Sequence, residues 1–115
     1  MPVADGTYTL RADGLSYPAA VLRTADGYAT LRGAAGCLEI RGGRLTLNVP
    51  LQPGVEATWE PCDSTNTLQR WEVEPAAGGY HLINAITRMA LSVTDDGRPV
   101  QYPPDQRAPA LWHLS

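Results

Sequence analysis

Short runs of alternating apolar and polar residues recur along the chain, and three of them open on a glycine. Gly6-Thr7-Tyr8-Thr9-Leu10-Arg11, Gly43-Arg44-Leu45-Thr46-Leu47-Asn48 and Gly79-Tyr80-His81-Leu82-Ile83-Asn84 share this form. Alternation at period two is the mark of a half-buried strand. A second apolar-polar-apolar mark follows each run: Leu38-Glu39-Ile40, Trp71-Glu72-Val73 and Trp112-His113-Leu114. A repeated unit of this length cannot bury its own apolar face, so several copies must share one core. Three copies use up the chain. The pattern therefore predicts one closed, threefold, all-β domain over 1–115, with units at about 6–42, 43–78 and 79–115. Leu38, Trp71 and Trp112 are expected at equivalent positions in one layer of its core.

Turn signals separate the runs: Asp5-Gly6, Asp13-Gly14, Asp26-Gly27, Gly42-Gly43, Pro53-Gly54, Gly78-Gly79 and Asp96-Gly97. Many short strands between such turns indicate a sandwich or barrel. Strands are predicted at Thr7–Arg11, Ala20–Arg23, Tyr28–Arg32, Cys37–Ile40, Arg44–Val49, Val55–Glu60, Gln69–Glu74, Tyr80–Asn84, Met89–Val93, Pro99–Tyr102 and Leu111–Leu114. The stretch Asn84–Val93 also fits a short amphipathic helix, with Ala85, Ile86, Met89, Ala90 and Val93 on one face. The repeat register requires strands there and decides for them. Pro99, Pro103, Pro104 and Pro109 are expected at edges and loops, because proline cannot donate to a central ladder.

Composition narrows the function. The 115 residues are 43% hydrophobic and 18% charged, which fits a globular domain. A net charge of −3 argues against nucleic acid, since there is no surplus of cations to track phosphates. All nine basic residues are arginine. No segment reaches the length of a membrane span, and the first residues carry no secretory signal pattern. The expected location is therefore either the cytoplasm or, for a mature chain, outside it. Cys37 and Cys62 are either buried thiols or a disulfide, which would close a loop worth roughly 3 kcal/mol. Neither cysteine has metal-ligand spacing, and no metal or cofactor is expected.

Gln69-Arg70-Trp71 is a Q-x-W triplet. Downstream come Tyr80-His81-Leu82-Ile83-Asn84, Met89-Ala90-Leu91-Ser92-Val93, Gly97-Arg98-Pro99-Val100-Gln101 and Trp112. This ordered series resembles the β-trefoil repeat of ricin B-chain-type lectins, best over residues 43 to 115 and by repeat spacing alone before that. The resemblance implies a pseudo-threefold β-trefoil of about 11–12 short strands, with a six-stranded barrel closed by three hairpins. It makes the tryptophans of the motif structural and gives Gln69 a hydrogen-bonding role within the fold. Trp59-Glu60-Pro61-Cys62 resembles a segment whose cysteine, in some members, pairs within its own repeat. Cys37, the candidate partner, falls in the first unit of the division above.

A sugar pocket of that family combines a carboxylate on an L-D-V strand, an aromatic face after P-V-Q and a nearby amide. In the third unit Ser92 stands where the aspartate belongs. Asp95 and Asp96 follow in the next turn, Tyr102 comes after Gln101, Gln106 offers an amide, and Ala110 replaces the closing glutamine. In the second unit Trp59 stands near Glu60, Asp63 and Asn66, without a recognisable L-D-V segment. The first unit offers Tyr17, Tyr28 and Asp26. The candidate ligand residues are thus Tyr102, Asp95, Asp96, Gln106, Trp59, Asp63 and Asn66. Each aromatic has a plain alternative: Trp59 as a strand residue covered by the Pro50–Pro53 loop, Tyr102 as an edge residue. Asp95-Asp96-Gly97 is, in most sequences, simply a turn.

The resemblance implies a non-enzymatic carbohydrate-binding module whose partner is a glycan. The competing class is a β-trefoil protease inhibitor acting through an exposed rigid loop, Leu51–Gly54 or Pro103–Arg107. Catalysis ranks last. His81 and His113 occupy strand positions, and no nucleophile motif, paired carboxylates or phosphate loop accompanies them.

Overall fold

The computed structural model describes residues 4–40 and 52–115. The expected strand Arg44–Val49, the glycine at 43 and part of the Pro50–Pro53 loop lie outside the described residues. The described residues form ten strands: β1 Gly6–Ala12, β2 Leu15–Arg23, β3 Ala29–Gly33, β4 Gly36–Ile40, β5 Ala57–Glu60, β6 Trp71–Ala76, β7 Gly79–Asn84, β8 Ala90–Val93, β9 Pro99–Tyr102 and β10 His113–Leu114. All neighbours pair antiparallel, in the order β10-β1-β2-β3-β6-β7-β8-β9, with β4 on β3 and β5 on β4. Tyr80 and Trp112 exchange backbone hydrogen bonds of 2.9 and 2.8 Å, which returns β7 to the start of β10. The strands β10, β1, β2, β3, β6 and β7 therefore form a closed ring, which leaves no open edge to template aggregation. No helix among the described residues is long and apolar enough to cross a membrane.

Alternation places the core. Leu10 and Ala12 of β1, Ala19 and Val21 of β2, Ala29 and Leu31 of β3, and Trp71 and Val73 of β6 all point inward, and the residues between them face out. Pro18 and Pro75 sit within strands, yet each lies where its strand has a neighbour on one side only. Pro18 is paired with Thr9 and Pro75 with Tyr80, so neither missing N–H breaks a central ladder.

The hairpins β2–β3, β4–β5 and β8–β9 share features in pairs. In β2–β3 Thr24 donates its hydroxyl to Asp26, and in β8–β9 Thr94 does the same to Asp96. The backbone bonds match too: Thr24 N to Tyr28 O and Thr94 N to Arg98 O, both 2.9 Å. In the second hairpin Leu38 pairs with Trp59, as Leu91 pairs with Gln101 in the third. The Trp71 indole N–H donates to the Leu38 carbonyl at 3.0 Å, and that of Trp112 to the Leu91 carbonyl at 3.2 Å. Leu38, Trp71 and Trp112 are all buried, but Leu38 is not the counterpart of the tryptophans. It is the acceptor of one of them, and its counterpart is Leu91. A strand from the barrel and a strand from a hairpin carry the same alternating pattern, so the local sequence does not separate them.

Two further expectations are corrected. Gln69 does not begin a strand; it ends a single 3₁₀ turn, Thr67–Gln69, capped by the Asn66 side chain. The last strand is shorter than expected and covers only His113–Leu114, Trp112 contributing an isolated bridge. Of the two alternatives open for the cysteines, the structure takes the disulfide: Cys37 and Cys62 are bonded to each other. The segment after Asn84 is a turn and not a helix. The Asn84 side-chain oxygen accepts the N–H groups of Ile86 and Thr87 at 3.0 and 3.2 Å, while its amide donates to Leu68 O at 2.9 Å. Arg88 then takes a positive φ of 58°, and Asn84 N donates to Met89 O at 3.0 Å, so the chain turns back into a strand instead of continuing as a helix.

The Cys37–Cys62 bond spans 25 residues. A cross-link of that reach restricts the unfolded chain and stabilises by about 3 kcal/mol. Urea unfolding with and without a reductant should show a loss of that size. The Cys37→Ser, Cys62→Ser double variant should show the same loss and no further response to reductant.

Candidate functional site

Glu39 lies in the middle of β4, a strand buried along nearly its whole length. Through the match of Leu38 with Leu91, Glu39 occupies the position of Ser92. This is the strand-carboxylate position that the sequence reading found vacant in every unit. Its side-chain Oε1 accepts from Asn66 Nδ2 at 2.9 Å and from Gln69 Nε2 at 2.8 Å. Gln69 also donates to Pro61 O and accepts from Asp63 N, both at 2.9 Å. A buried carboxylate must be satisfied in this way or it is costly. Glu39 is 2% exposed, so it serves as a clasp between β4 and the loop from Pro61 to Gln69.

Asn66 and Asp63 belong to that clasp. Asn66 caps Leu68 N as well as holding Glu39. Asp63 Oδ1 accepts from the backbone N–H and the hydroxyl of Thr65, at 2.9 and 2.7 Å. In the third unit the clasp is absent, because Ala110 stands two residues before Trp112, where Gln69 precedes Trp71. Ser92 is correspondingly small, 1% exposed, and its hydroxyl has no hydrogen-bond partner among the described residues.

The third-unit candidates do not gather round an open ring face. The Arg107 guanidinium lies 5.5 Å from the centre of the Tyr102 ring. Arg107 also donates to Val93 O at 2.8 Å and stands 4.0 Å from Asp95. The arginine that ends the candidate inhibitor loop Pro103–Arg107 is thus held against Val93 and Tyr102. Asp96 lies in the β8–β9 turn. The Thr94 hydroxyl and then Arg98 hold its carboxyl below the usual aspartate value, as the Thr24 hydroxyl and then Arg70 hold that of Asp26. Asp95 is exposed in the same turn, and Gln106 is exposed in the turn whose N–H returns to Pro103 O at 3.0 Å.

Trp59 is different. It is half-buried on β5 and meets Tyr17 of β2 edge to face, with ring centres 5.5 Å apart and planes at 67°. The two rings, Pro18 and the small residues Gly33, Ala34 and Ala35 enclose an open cleft of about 240 Å³. Gly33 makes room for it: a Cβ there would lie 3.1 Å from Trp59 Cζ3. Burial, and then the charge of Glu56, raise the pKa of the Tyr17 phenol, so its hydroxyl remains a proton donor. Tyr102 is not among the residues lining this cleft. The sequence marked Trp59 and noted Tyr17, but nothing local joins residues on two different hairpins. The signal that could have found the cleft is the glycine-alanine turn between β3 and β4, too small to cover an aromatic neighbour.

No family model and no curated protein matches the sequence. Among solved structures the chain is similar to a designed 3-fold symmetric protein, ThreeFoil, with a TM-score of 0.74 at 20% identity. The match covers 96% of this chain and 98% of that one. At this identity the likeness speaks for the fold alone. The closed ring, the repeated hairpins and this likeness make the chain an all-β protein with the β-trefoil fold.

Proposed function

We propose that this β-trefoil is a carbohydrate-binding module that holds a saccharide against Trp59 in the cleft beside Tyr17. The observation that carries the reading is the half-open indole. Trp59 is the one tryptophan of the three that is not fully buried, and its cleft is walled by residues too small to close it. A pyranose ring has an apolar face that stacks on such a surface, and the Tyr17 hydroxyl supplies a polar group at the edge. The strand carboxylate expected from lectin-like sequences contributes structure instead, since Glu39 is occupied within the fold. The Cys37–Cys62 bond fits a protein that works in an oxidising compartment.

The test is a glycan array followed by titration of the best ligand, read through tryptophan fluorescence. Trp59→Ala should weaken binding at least about tenfold, the loss of one stacked aromatic and its buried area. Gly33→Ala, whose Cβ would lie 3.1 Å from the indole, should weaken it less. Tyr102→Ala should leave affinity unchanged if the cleft is the site. Absence of binding to every saccharide class, or equal affinity for wild type and Trp59→Ala, overturns the reading.

A further inference from the structure

Another cavity lies at the β1–β2 turn beside β10. It measures about 400 Å³ and is lined by Arg11, Asp13, Ser16, Leu111 and His113, among others. Arg11 on β1 pairs with His113 on β10 and with Ser16 on β2. Residues directly opposite in neighbouring antiparallel strands share a face, with Cβ atoms roughly 5 Å apart. His113, Arg11 and Ser16 therefore form one row across three strands, and all three are exposed.

Arg11, like Arg23 and Arg32, has no carboxylate partner among the described residues; of the three, Arg11 lines this cavity together with a histidine and a serine. Arg70, Arg88, Arg98 and Arg107 each lie close to a carboxylate. The Arg11 side chain makes no hydrogen bond or ion pair with the described residues, although it lies in a cavity with Asp13 two positions away. A guanidinium fork, an imidazole N–H and a hydroxyl side by side are three donors facing one space. Such a set matches an anion with several acceptor oxygens, and an arginine fork grips two of them at once. The row sits on the ring and not on a loop, so its spacing is fixed by the strand ladder.

We infer that the Arg11–His113–Ser16 row is a binding site for a phosphate group, separate from the Trp59 cleft. Arg11 takes two oxygens, His113 and Ser16 donate to the others, and the Asp13 carboxylate at the rim keeps the affinity modest by repulsion.

The test uses the whole chain, titrated at constant ionic strength with inorganic phosphate, a hexose phosphate and, as controls, sulfate and chloride. Backbone amide shifts are followed by NMR. Saturable shifts confined to residues 11–16 and 111–113, stronger for phosphate than for chloride, are expected. Arg11→Gln should weaken binding at least tenfold while the remaining spectrum is unchanged, and Asp13→Asn should strengthen it several-fold. Preference for the hexose phosphate over inorganic phosphate would identify a phosphorylated sugar as the source; equal affinity would identify free phosphate. Shifts that do not saturate, that chloride reproduces, or that survive Arg11→Gln overturn the site. A failure here leaves saccharide binding at Trp59 untouched, because neither Trp59 nor Tyr17 lines this cavity.

Discussion

Trp71→Ala and Trp112→Ala are each expected to destabilise the protein by about 3–5 kcal/mol, the usual cost of emptying a buried aromatic site. Both side chains are completely buried. Each also donates its indole N–H to a buried leucine carbonyl, Leu38 O or Leu91 O. Truncation therefore strands an acceptor as well as opening a cavity, and that adds about 1–3 kcal/mol. The whole stability of a small domain is about 5–15 kcal/mol, so either variant should sit close to unfolding. Urea denaturation monitored by circular dichroism measures the loss. Trp71→Phe helps to separate the two causes, since it removes the donor with a much smaller loss of volume than alanine. A loss under 1 kcal/mol for Trp71→Ala would remove that ring from the core.

Gly36→Ala is the second large effect. Gly36 has φ +125°, in the region that favours glycine, and a Cβ there would lie 2.1 Å from the carbonyl oxygen of Glu60. That oxygen is main chain and cannot swing away as a side-chain tip would. It belongs to β5, whose Glu60 pairs with Cys37, and Cys37 is bonded to Cys62. Relief of the clash must open the β4–β5 hairpin beside its own cross-link. Strained backbone costs about 1–3 kcal/mol and overpacking about as much again, so a loss of about 2–6 kcal/mol is expected. Gly97→Ala is the control. Its φ is +83° with nothing within 4 Å of the added atom, so it carries the conformational cost alone, about 1–2 kcal/mol. Equal losses for the two variants would show that the Glu60 contact does not matter.

The two tryptophans and Gly36 also show where sequence reading succeeds and where it stops. Trp71 and Trp112 were legible as core because each sits in an apolar-polar-apolar run at the end of a repeat. Leu38 sits in the same kind of run, and the same reasoning placed it with them. The structure makes it an acceptor for Trp71, a relation that depends on which strand is hydrogen-bonded to which. The misplacement hid Glu39: a carboxylate in the expected strand position looks like an ordinary outward residue once the strand is given to the barrel. Asn66 and Asp63 looked like ligand groups for a related reason. Their polarity is visible in sequence, but the partners that occupy it, Glu39 and Thr65, include one 27 residues away.

The alternation of apolar and polar residues, broken by Asp-Gly and Gly-Gly pairs, determined by itself that this chain is built of short antiparallel strands sharing one core. That information is local, since side-chain direction in a strand follows from backbone geometry alone. Tertiary structure alone decided which strands close the ring, that Cys37 meets Cys62, that Glu39 is consumed as a clasp, and that Trp59 keeps an open face beside Tyr17 and Gly33. Those outcomes depend on distances between residues far apart in the chain, fixed only when the strands pair and the core closes around Trp71 and Trp112.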